Sequence, residues 1–245
     1  MISLKLENVT CTREGQTIVS SFSADLTGSK LTAILSDSEE SAVAFLRLVA
    51  GLQKPPVGTL IYNGENFYEK SPEDQSKILR HNSYIFDSGG VVSNLSVSEN
   101  ILLPFDFINH SVPEKEKLAK VEELLKFFEL DSELLQKRPS MLTKGEIKLI
   151  NYIRAYLISP EVVFIESPFA RMMKQTAGLI EKIIVETAFE KGIPHFFSKN
   201  NNSSLVEKAD TIILIKKGEA TLHKRGVDFT DKFDYPKFYD QKEIK

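Results

Sequence analysis

The 245-residue chain has a single cysteine, no long apolar run and almost no net charge. One cysteine, Cys11, excludes an intramolecular disulfide framework and fits a reducing compartment. The longest apolar stretch, residues 147–165, is interrupted by charged and polar side chains, so it does not reach the length of about 18 residues that a membrane span needs. The first seven residues carry two charges and lack the apolar run of a secretory signal. We therefore expect a soluble or peripheral cytoplasmic protein.

The formal charge of −3 also bears on partners. It provides no basic field that would attract nucleic acid or anionic lipid. Any association with a membrane is therefore expected to come through another protein, which would place this chain on the inner face of that membrane.

Glycine and lysine are missing from the turn where a phosphate-binding loop would be expected. An apolar run precedes this turn and an amphipathic stretch follows it, which is the context that the pattern G-x-x-x-x-G-K-[ST] requires. The two glycine positions, the lysine position and the magnesium-binding hydroxyl position are held, in that order, by Ser36, Ser41, Ala42 and Val43. The sequence therefore predicts a nucleotide-binding fold that no longer binds a nucleotide in the usual way.

Three carboxylates, Asp37, Glu39 and Glu40, lie in the same turn. They are read most simply as favourable charges in the first turn of a helix, where they complement the helix dipole. A cation site is the alternative, but no further carboxylate spacing supports it. Ser36 and Glu39 have the spacing of a capping box, so we expect them to cap the helix that follows.

Hydrophobic periodicity predicts an α/β fold. Residues 2–28 alternate apolar and polar side chains as antiparallel strands do. Further segments are predicted as strands at 31–35, 59–62, 84–86, 162–165, 195–197 and 211–215, and as helices at 38–51, 114–128, 144–158 and 173–190. Strands that alternate with helices predict a parallel sheet. The expected organisation is a core at 1–87 and 159–226 with an N-terminal antiparallel β subdomain, an inserted helical subdomain at 88–158, and a tail at 227–245.

Several ordered blocks then resemble the ATP-binding subunit of ABC transporters, over about residues 3–222. The blocks are Leu6–Val9, Arg47–Leu52, Gly58–Gly64, Asn94–Asn100, Leu142–Glu146, Ile153–Ala155 and Lys208–Asp210. The resemblance implies a P-loop NTPase-like core with a mixed sheet.

The resemblance also assigns functional positions, and most of them carry the wrong residue. The aromatic that stacks on adenine falls at Arg13, and the glutamine that senses the γ-phosphate falls at Asp87. Glu166 replaces the magnesium-binding aspartate, and Ser167 replaces the glutamate that polarises the attacking water. The next loop, residues 170–173, lacks the expected aspartate.

Histidine is missing from the family's switch position near residues 200–202, and His195 comes too early to fill it. His81, His110, His195 and His223 show no metal spacing and are expected to be structural or exposed to solvent. Together with the preceding substitutions this predicts no catalytic residue, no ATP or magnesium as cofactor, and no metal. Glu166 is expected to be a neutral or paired core carboxylate.

The signature motif alone survives recognisably, as Leu142-Thr-Lys-Gly-Glu146. Thr143 and Glu146 have the spacing of a capping box. The resemblance makes Thr143, Lys144 and Gly145 candidates for a phosphate contact in trans, on ATP bound by a partner. Asp87, Asn94, Leu95 and Ser96 become candidates for contact with a transmembrane permease subunit.

The leading hypothesis is a catalytically inactive ABC-type subunit, a pseudo-ATPase that supports or regulates a transport complex. It would form a dimer with its own copy or with an intact ABC ATPase. One alternative is an asymmetric pair in which this chain supplies the signature to the partner's ATP site. Another is a divergent but active ATPase, or a soluble factor of the same superfamily.

Overall fold

The computed structural model describes residues 2–108, 112–170, 172–198 and 203–230. In chain order the strands and helices are β1 (Leu4–Arg13), β2 (Gln16–Asp25), β3 (Leu31–Ser36), α1 (Glu39–Val49), β4 (Val57–Tyr62), β5 (Glu65–Asn66), α2 (Pro72–Leu79), β6 (Asn82–Ile85), α3 (Val97–Ile108), α4 (Glu114–Phe127), α5 (Lys144–Leu157), β7 (Val162–Ile165), α6 (Lys174–Phe189), β8 (His195–Ser198), α7 (Ser203–Lys208), β9 (Thr211–Lys216) and β10 (Glu219–Lys224). Short 3₁₀ helices span Phe67–Glu69, Ser132–Gln136 and Pro139–Met141.

The larger sheet has six strands in the order β10-β9-β3-β8-β7-β6. Five of them are parallel and β10 is antiparallel to β9, so the predicted mixed sheet is confirmed. Every residue of β3, β7 and β8 is buried, as expected for strands covered on both faces. Ile85 pairs with Ile165 at the ends of β6 and β7. The segments that begin at residues 86 and 166 therefore leave the sheet side by side.

The predicted antiparallel sheet is also present, in the order β2-β1-β4-β5. Its inward-facing side chains form one hydrophobic cluster with α1 and with one face of the larger sheet. Phe45 of α1 is fully buried there, and its ring meets that of Phe22 edge to face at 5.8 Å. Helix α1 is thus held between the two sheets, which fixes the position of its N-terminus.

Helices α3, α4 and α5 lie between β6 and β7 in the sequence. They pack through Ile101, Phe105, Val121 and Tyr152 in a second cluster that reaches the other face of the larger sheet. The helices predicted at 114–128 and 144–158 are confirmed to within one residue. The boundaries of the inserted subdomain stay predictions, and most of the tail lies outside the described residues. Among those residues, none of the helices has the length and apolarity needed to span a bilayer.

The predicted capping box at Ser36 and Glu39 is wrong. Ser36 belongs to β3, where it pairs with Ile215, and it is fully buried. The helix is capped instead by Ser38, whose backbone is extended and whose Oγ accepts the Ser41 N–H at 3.3 Å. By contrast, the capping box of Thr143 and Glu146 on α5 is confirmed.

Candidate functional site

The turn between β3 and α1 uses its own backbone N–H groups internally. The Ser38 N–H donates to Ser36 Oγ at 3.3 Å, the Ser41 N–H donates to Ser38 Oγ at 3.3 Å, and the Ala42 N–H donates to the Ser38 carbonyl at 3.1 Å. A phosphate-binding loop works by pointing such groups at the anion. Ala42 is fully buried and α1 begins at Glu39, so the turn passes directly into the helix.

The carboxylates of the turn have partners inside the protein. Ser38 Oγ donates to Glu40 Oε2 at 2.7 Å, and this hydrogen bond lowers the pKa of the Glu40 carboxyl. Arg13, at the position expected for the adenine-stacking aromatic, lies 3.9 Å from Glu40 and 3.5 Å from Glu14. Glu39 and Glu40 occupy the first turn of α1. The interpretation of these two residues as first-turn helix anions therefore agrees with the structure.

Glu166 is held by four donors from three parts of the chain. Arg47 donates from Nε at 2.8 Å and from Nη2 at 2.7 Å, both to Oε1. Tyr84 donates its hydroxyl to the same oxygen at 2.9 Å, and the Asp87 N–H donates to Oε2 at 3.0 Å. Burial and the adjacent carboxylate raise the pKa of Tyr84. Glu166 is only 3% exposed, and it is a paired core carboxylate, as its position predicted.

Ser167, at the position of the missing catalytic glutamate, is buried and hydrogen-bonded at each polar group. Its N–H donates to Ser198 Oγ at 3.0 Å, and its hydroxyl donates to Glu39. Its φ of 41° lies in the left-handed region, which a non-glycine residue adopts only when its surroundings impose it. A serine hydroxyl is not a base near neutral pH, so Ser167 does not itself take the role of the glutamate, and its hydrogen bonds hold the turn after β7.

Lys148 is a buried charged residue beside the candidate site that sequence reasoning missed. Its ammonium is almost fully buried, lies 2.9 Å from Asp87 Oδ1, and also donates to the backbone carbonyls of Glu166 and Ser167. A signal was present in the sequence. Lys148 precedes the fully buried Tyr152 by four residues and so shares its face of α5, where a lysine needs a partner.

Arg47, Glu166 and Ser167 border a cleft of about 460 Å³ between α1 and the ends of β6 and β7. Its charged lining residues are Arg13, Arg47, Glu39, Glu40, Asp87 and Glu166, which makes two cations against four carboxylates. Among the residues that the structure describes, no three histidine, cysteine or carboxylate side chains are grouped so as to hold a metal ion. The cleft is acidic where a polyphosphate site would be basic.

The family model described as ABC transporter matches residues 44–170, which is more than half of the chain. The chain belongs to the ABC transporter family. The matched residues include the C-terminal half of α1, the segment after β6, the signature and β7, and they begin just after the turn between β3 and α1.

Curated relatives of this ABC family chain are named as ATP-binding proteins. An Fe(3+) ions import ATP-binding protein of Pectobacterium atrosepticum is 22% identical over 219 residues, which are 88% of this chain and 61% of the relative. A lipoprotein-releasing system ATP-binding protein of Buchnera aphidicola is 24% identical over 204 residues, 83% of this chain and 88% of the relative. The chain thus spans less than two thirds of the first relative and most of the second.

Solved structures share the fold. The ATP-binding cassette MJ0796, in a dimeric post-hydrolysis state bound to ADP and Pi, superposes with a TM-score of 0.82 at 21% identity, and covers 91% of this chain and 99% of its own. The cbiO1 protein from Clostridium perfringens gives a TM-score of 0.72 at 21% identity, with 90% and 87% covered. The P-loop NTPase-like, ABC-type fold predicted from the sequence is therefore confirmed.

The polar groups of Thr143 and Glu146 in the ABC signature region hydrogen-bond to each other. Thr143 Oγ1 donates to Glu146 Oε2 at 2.8 Å and accepts the Glu146 N–H at 3.2 Å. The Thr143 N–H donates to the same carboxylate at 2.7 Å, and this hydrogen bond lowers the pKa of Glu146. A carboxylate thus occupies the N-terminus of α5, directly beside Lys144 and Gly145.

The other predicted positions are partly described. Asn94 is exposed, while Leu95 and Ser96 are half-buried, all three in the loop before α3. His195 is fully buried, and its Nδ1 donates to the Ile193 carbonyl at 2.8 Å. His110, Arg171 and the switch region at 200–202 lie outside the described residues, so those predictions stay as they are.

Proposed function

We propose that this chain is a pseudo-ATPase of the ABC transporter family, a subunit that supports or regulates a membrane transport complex without binding or hydrolysing ATP. The observation that carries the proposal is the turn at the start of α1. Its N–H groups at Ser38, Ser41 and Ala42 all bond within the protein, so a phosphate could bind any of these three only by displacing an existing hydrogen bond. Position 42 holds alanine, so no lysine is available there to attract the phosphate and compensate for the lost hydrogen bonds.

The charge of the cleft supports the same proposal. Both of its cations are already paired, Arg47 with Glu166 and Arg13 with Glu40. At 4–6 Å a carboxylate repels a phosphate charge by roughly 3–4 kcal/mol at an effective dielectric of 20, and by less once salt screens it. The dipole at the N-terminus of α1 is worth about half a charge. It is too weak to offset the carboxylates of Glu39 and Glu40.

The pairing of Glu166 argues against a magnesium site at the end of β7. A carboxylate that binds magnesium must turn a lone pair to the ion. Here one oxygen accepts from Arg47 and Tyr84, and the other accepts from the Asp87 backbone. With Ser167 in place of a base, the positions that the family resemblance assigns offer neither a free metal ligand nor the group that would activate water for phosphoryl transfer.

The supporting role is proposed from the relatives and from what the fold retains. Relatives are named as ATP-binding proteins of import or release systems, and MJ0796 is dimeric. This chain would dock on a transmembrane permease subunit through Asn94, Leu95 and Ser96, on the cytoplasmic face of the membrane. It would dimerise with an intact ABC ATPase or with its own copy.

The asymmetric pair is less well supported. In that arrangement Thr143 and the amides of Lys144 and Gly145 would contact a phosphate bound by the partner chain. The Thr143 hydroxyl is already engaged with Glu146, whose carboxylate would meet the incoming phosphate with like charge. An active ATPase built from this chain alone would need the groups that the cleft lacks.

The test is ATP turnover by the complex purified from membranes with its native partners. We expect a transmembrane protein to copurify, and turnover per complex to be unchanged by Ser167→Ala. Thr143→Ala distinguishes the asymmetric pair, with Ser71→Ala as a matched control because Ser71 caps α2 in the same way. A loss of turnover with Thr143→Ala alone would establish the asymmetric pair. A loss with Ser167→Ala would overturn the proposal.

A further inference from the structure

The segment at residues 87–96, here called the docking segment, runs directly against α5. Gly89 and Gly90 both have positive φ, at +106° and +58°. A Cβ on Gly89 would lie 2.7 Å from Ile147 Cγ2, so any other residue at this position would force the Ile147 side chain of α5 to shift.

One face of α5 holds the first half of this segment through polar contacts. Lys148 Nζ lies 2.9 Å from Asp87 Oδ1, and Arg154 Nη1 donates to the Gly90 carbonyl at 2.9 Å. Asn151, between them on the helix, accepts from Arg154 Nη2 at 2.5 Å. Residues spaced three or four apart share a helix face, so Lys148, Asn151 and Arg154 all lie on the side of α5 that faces the docking segment.

Asn100 of α3 holds the second half. Its side chain is fully buried, and its Oδ1 accepts the Val92 N–H at 2.7 Å. Its Nδ2 donates to the carbonyls of Val92 at 3.0 Å and Ser96 at 2.9 Å. The docking segment is therefore fixed at both ends by side chains of this chain.

We propose that α5, together with Asn100 of α3, forms an internal clamp that keeps the docking segment in one conformation without any nucleotide, and that Lys148 is its positioning residue. Asp87 stands where the family resemblance places a residue that senses the γ-phosphate. In this chain an internal ammonium takes the place of the ligand as the partner of that position. The existence of the clamp does not depend on the proposed function. Only the identity of the partner that the docking segment binds rests on it.

Native-state hydrogen exchange on the full chain tests the clamp. The reporters are the Asp87 N–H, which donates to Glu166 Oε2, and the Val92 N–H, which donates to Asn100 Oδ1. They are compared with the Val163 N–H in the core, which donates to the Pro194 carbonyl. We expect Lys148→Met to raise exchange at Asp87 and Val92 about tenfold more than at Val163, because the Asp87 carboxylate and two carbonyls lose their buried partner.

Thr187→Val is the matched control. Thr187 is buried in α6, and its hydroxyl donates to the Ile183 carbonyl, so its loss weakens the core without touching the docking segment. We expect no selective effect at Asp87 and Val92 in this variant. If Lys148→Met changed the three amides in the same proportion as Thr187→Val does, the clamp would be excluded.

Asp87→Asn keeps the test decisive if Lys148→Met does not fold. The amide preserves an acceptor for Lys148 but removes the charge, so we expect a selective rise of about threefold. Absence of a selective rise would overturn the clamp. A separate arm adds excess Mg-ATP to the wild-type chain: slower exchange at Ser41 and Ala42 would contradict the proposed function and leave the clamp result standing.

Discussion

Arg47 and Glu166 are 119 residues apart in the sequence, and their side chains meet at 2.7 Å across the candidate cleft. The pair joins α1 to the end of β7, where ABC family members are expected to place magnesium and the nucleotide phosphates. Under the proposed function, this ion pair of the protein takes a position that the family resemblance assigns to a ligand. The same proposal applies to the internal contacts of Ser38, Ser167 and Lys148.

Arg47→Met should destabilise the protein because it leaves the Glu166 carboxylate without its cation. Loss of one partner of a fully buried pair costs about 3–5 kcal/mol, and we expect about 2–3 kcal/mol here because the Arg47 side chain is 45% exposed. Urea unfolding measures the change. Arg13→Met is the control, since its ion pairs are exposed and should be worth less than about 1 kcal/mol. Equal effects of the two substitutions would contradict the role given to Glu166.

Restoring the two side chains of the phosphate-binding pattern should not restore binding. In Ala42→Lys with Val43→Ser the turn regains a lysine and a hydroxyl, but its N–H groups stay bonded to Ser36 and Ser38. Equilibrium dialysis with labelled ATP should detect no binding at micromolar nucleotide. Circular dichroism verifies that the variant is folded, because position 42 is fully buried. Saturable binding would show that side-chain loss alone had disabled the turn.

His195 should make stability depend on pH. Burial lowers its pKa from 6.5 to about 4, and its Nε2 lies 2.9 Å from the Tyr156 hydroxyl. Between these pH values the unfolded chain binds a proton that the folded chain does not. The free energy of unfolding should therefore fall by about 2–3 kcal/mol as pH decreases from 6.5 towards 4.

His195→Gln provides the comparison for that pH dependence. The other histidines contribute equally to both proteins, so the difference between the two profiles isolates His195. We expect a flatter profile for the variant in urea unfolding between pH 6.5 and 4.5. Parallel profiles would mean that His195 is protonated in the folded protein.

Gly58 should tolerate no side chain, in contrast to Gly64. Both have positive φ, at +88° and +84°, but a Cβ at Gly58 would lie 2.4 Å from the Asn8 carbonyl oxygen, while at Gly64 it meets nothing within 4 Å. Gly64→Ala should cost about 1 kcal/mol for its backbone conformation alone. Gly58→Ala should cost more than that, by thermal unfolding, because β1 and β4 must move apart. Similar costs would contradict the close approach of these strands.

Local sequence signals predicted most strands and the helices α1, α4, α5 and α6, because burial imposes a period on them. The mostly polar β10, the two-residue β5, the helix α2, which has no fully buried residue, and the bounds of α3 were missed. The sequence analysis placed the N-cap of α1 at Ser36 and not at Ser38, because both serines precede the helix and either residue type can cap it. Pairing of Ser36 with Ile215, far along the chain, decides in favour of Ser38.

The residue types of the candidate site could be taken from the sequence, but the contacts of those residues could not. That alanine stands at position 42 and serine at position 167 is visible in the sequence itself. The partners of Glu166 and Asp87 are not, because Arg47 and Lys148 reach them across 119 and 61 residues of sequence. Only Lys148 gave a local indication, as a charged residue on the buried face of α5.

The central claim is that the start of α1 no longer accepts a polyphosphate. Isothermal titration calorimetry of the purified chain with Mg-ATP tests it most directly. The account predicts no binding heat at nucleotide concentrations up to about 1 mM, where a dissociation constant would correspond to about −4 kcal/mol. A saturable heat with a micromolar dissociation constant, abolished by Ser41→Glu, would contradict it.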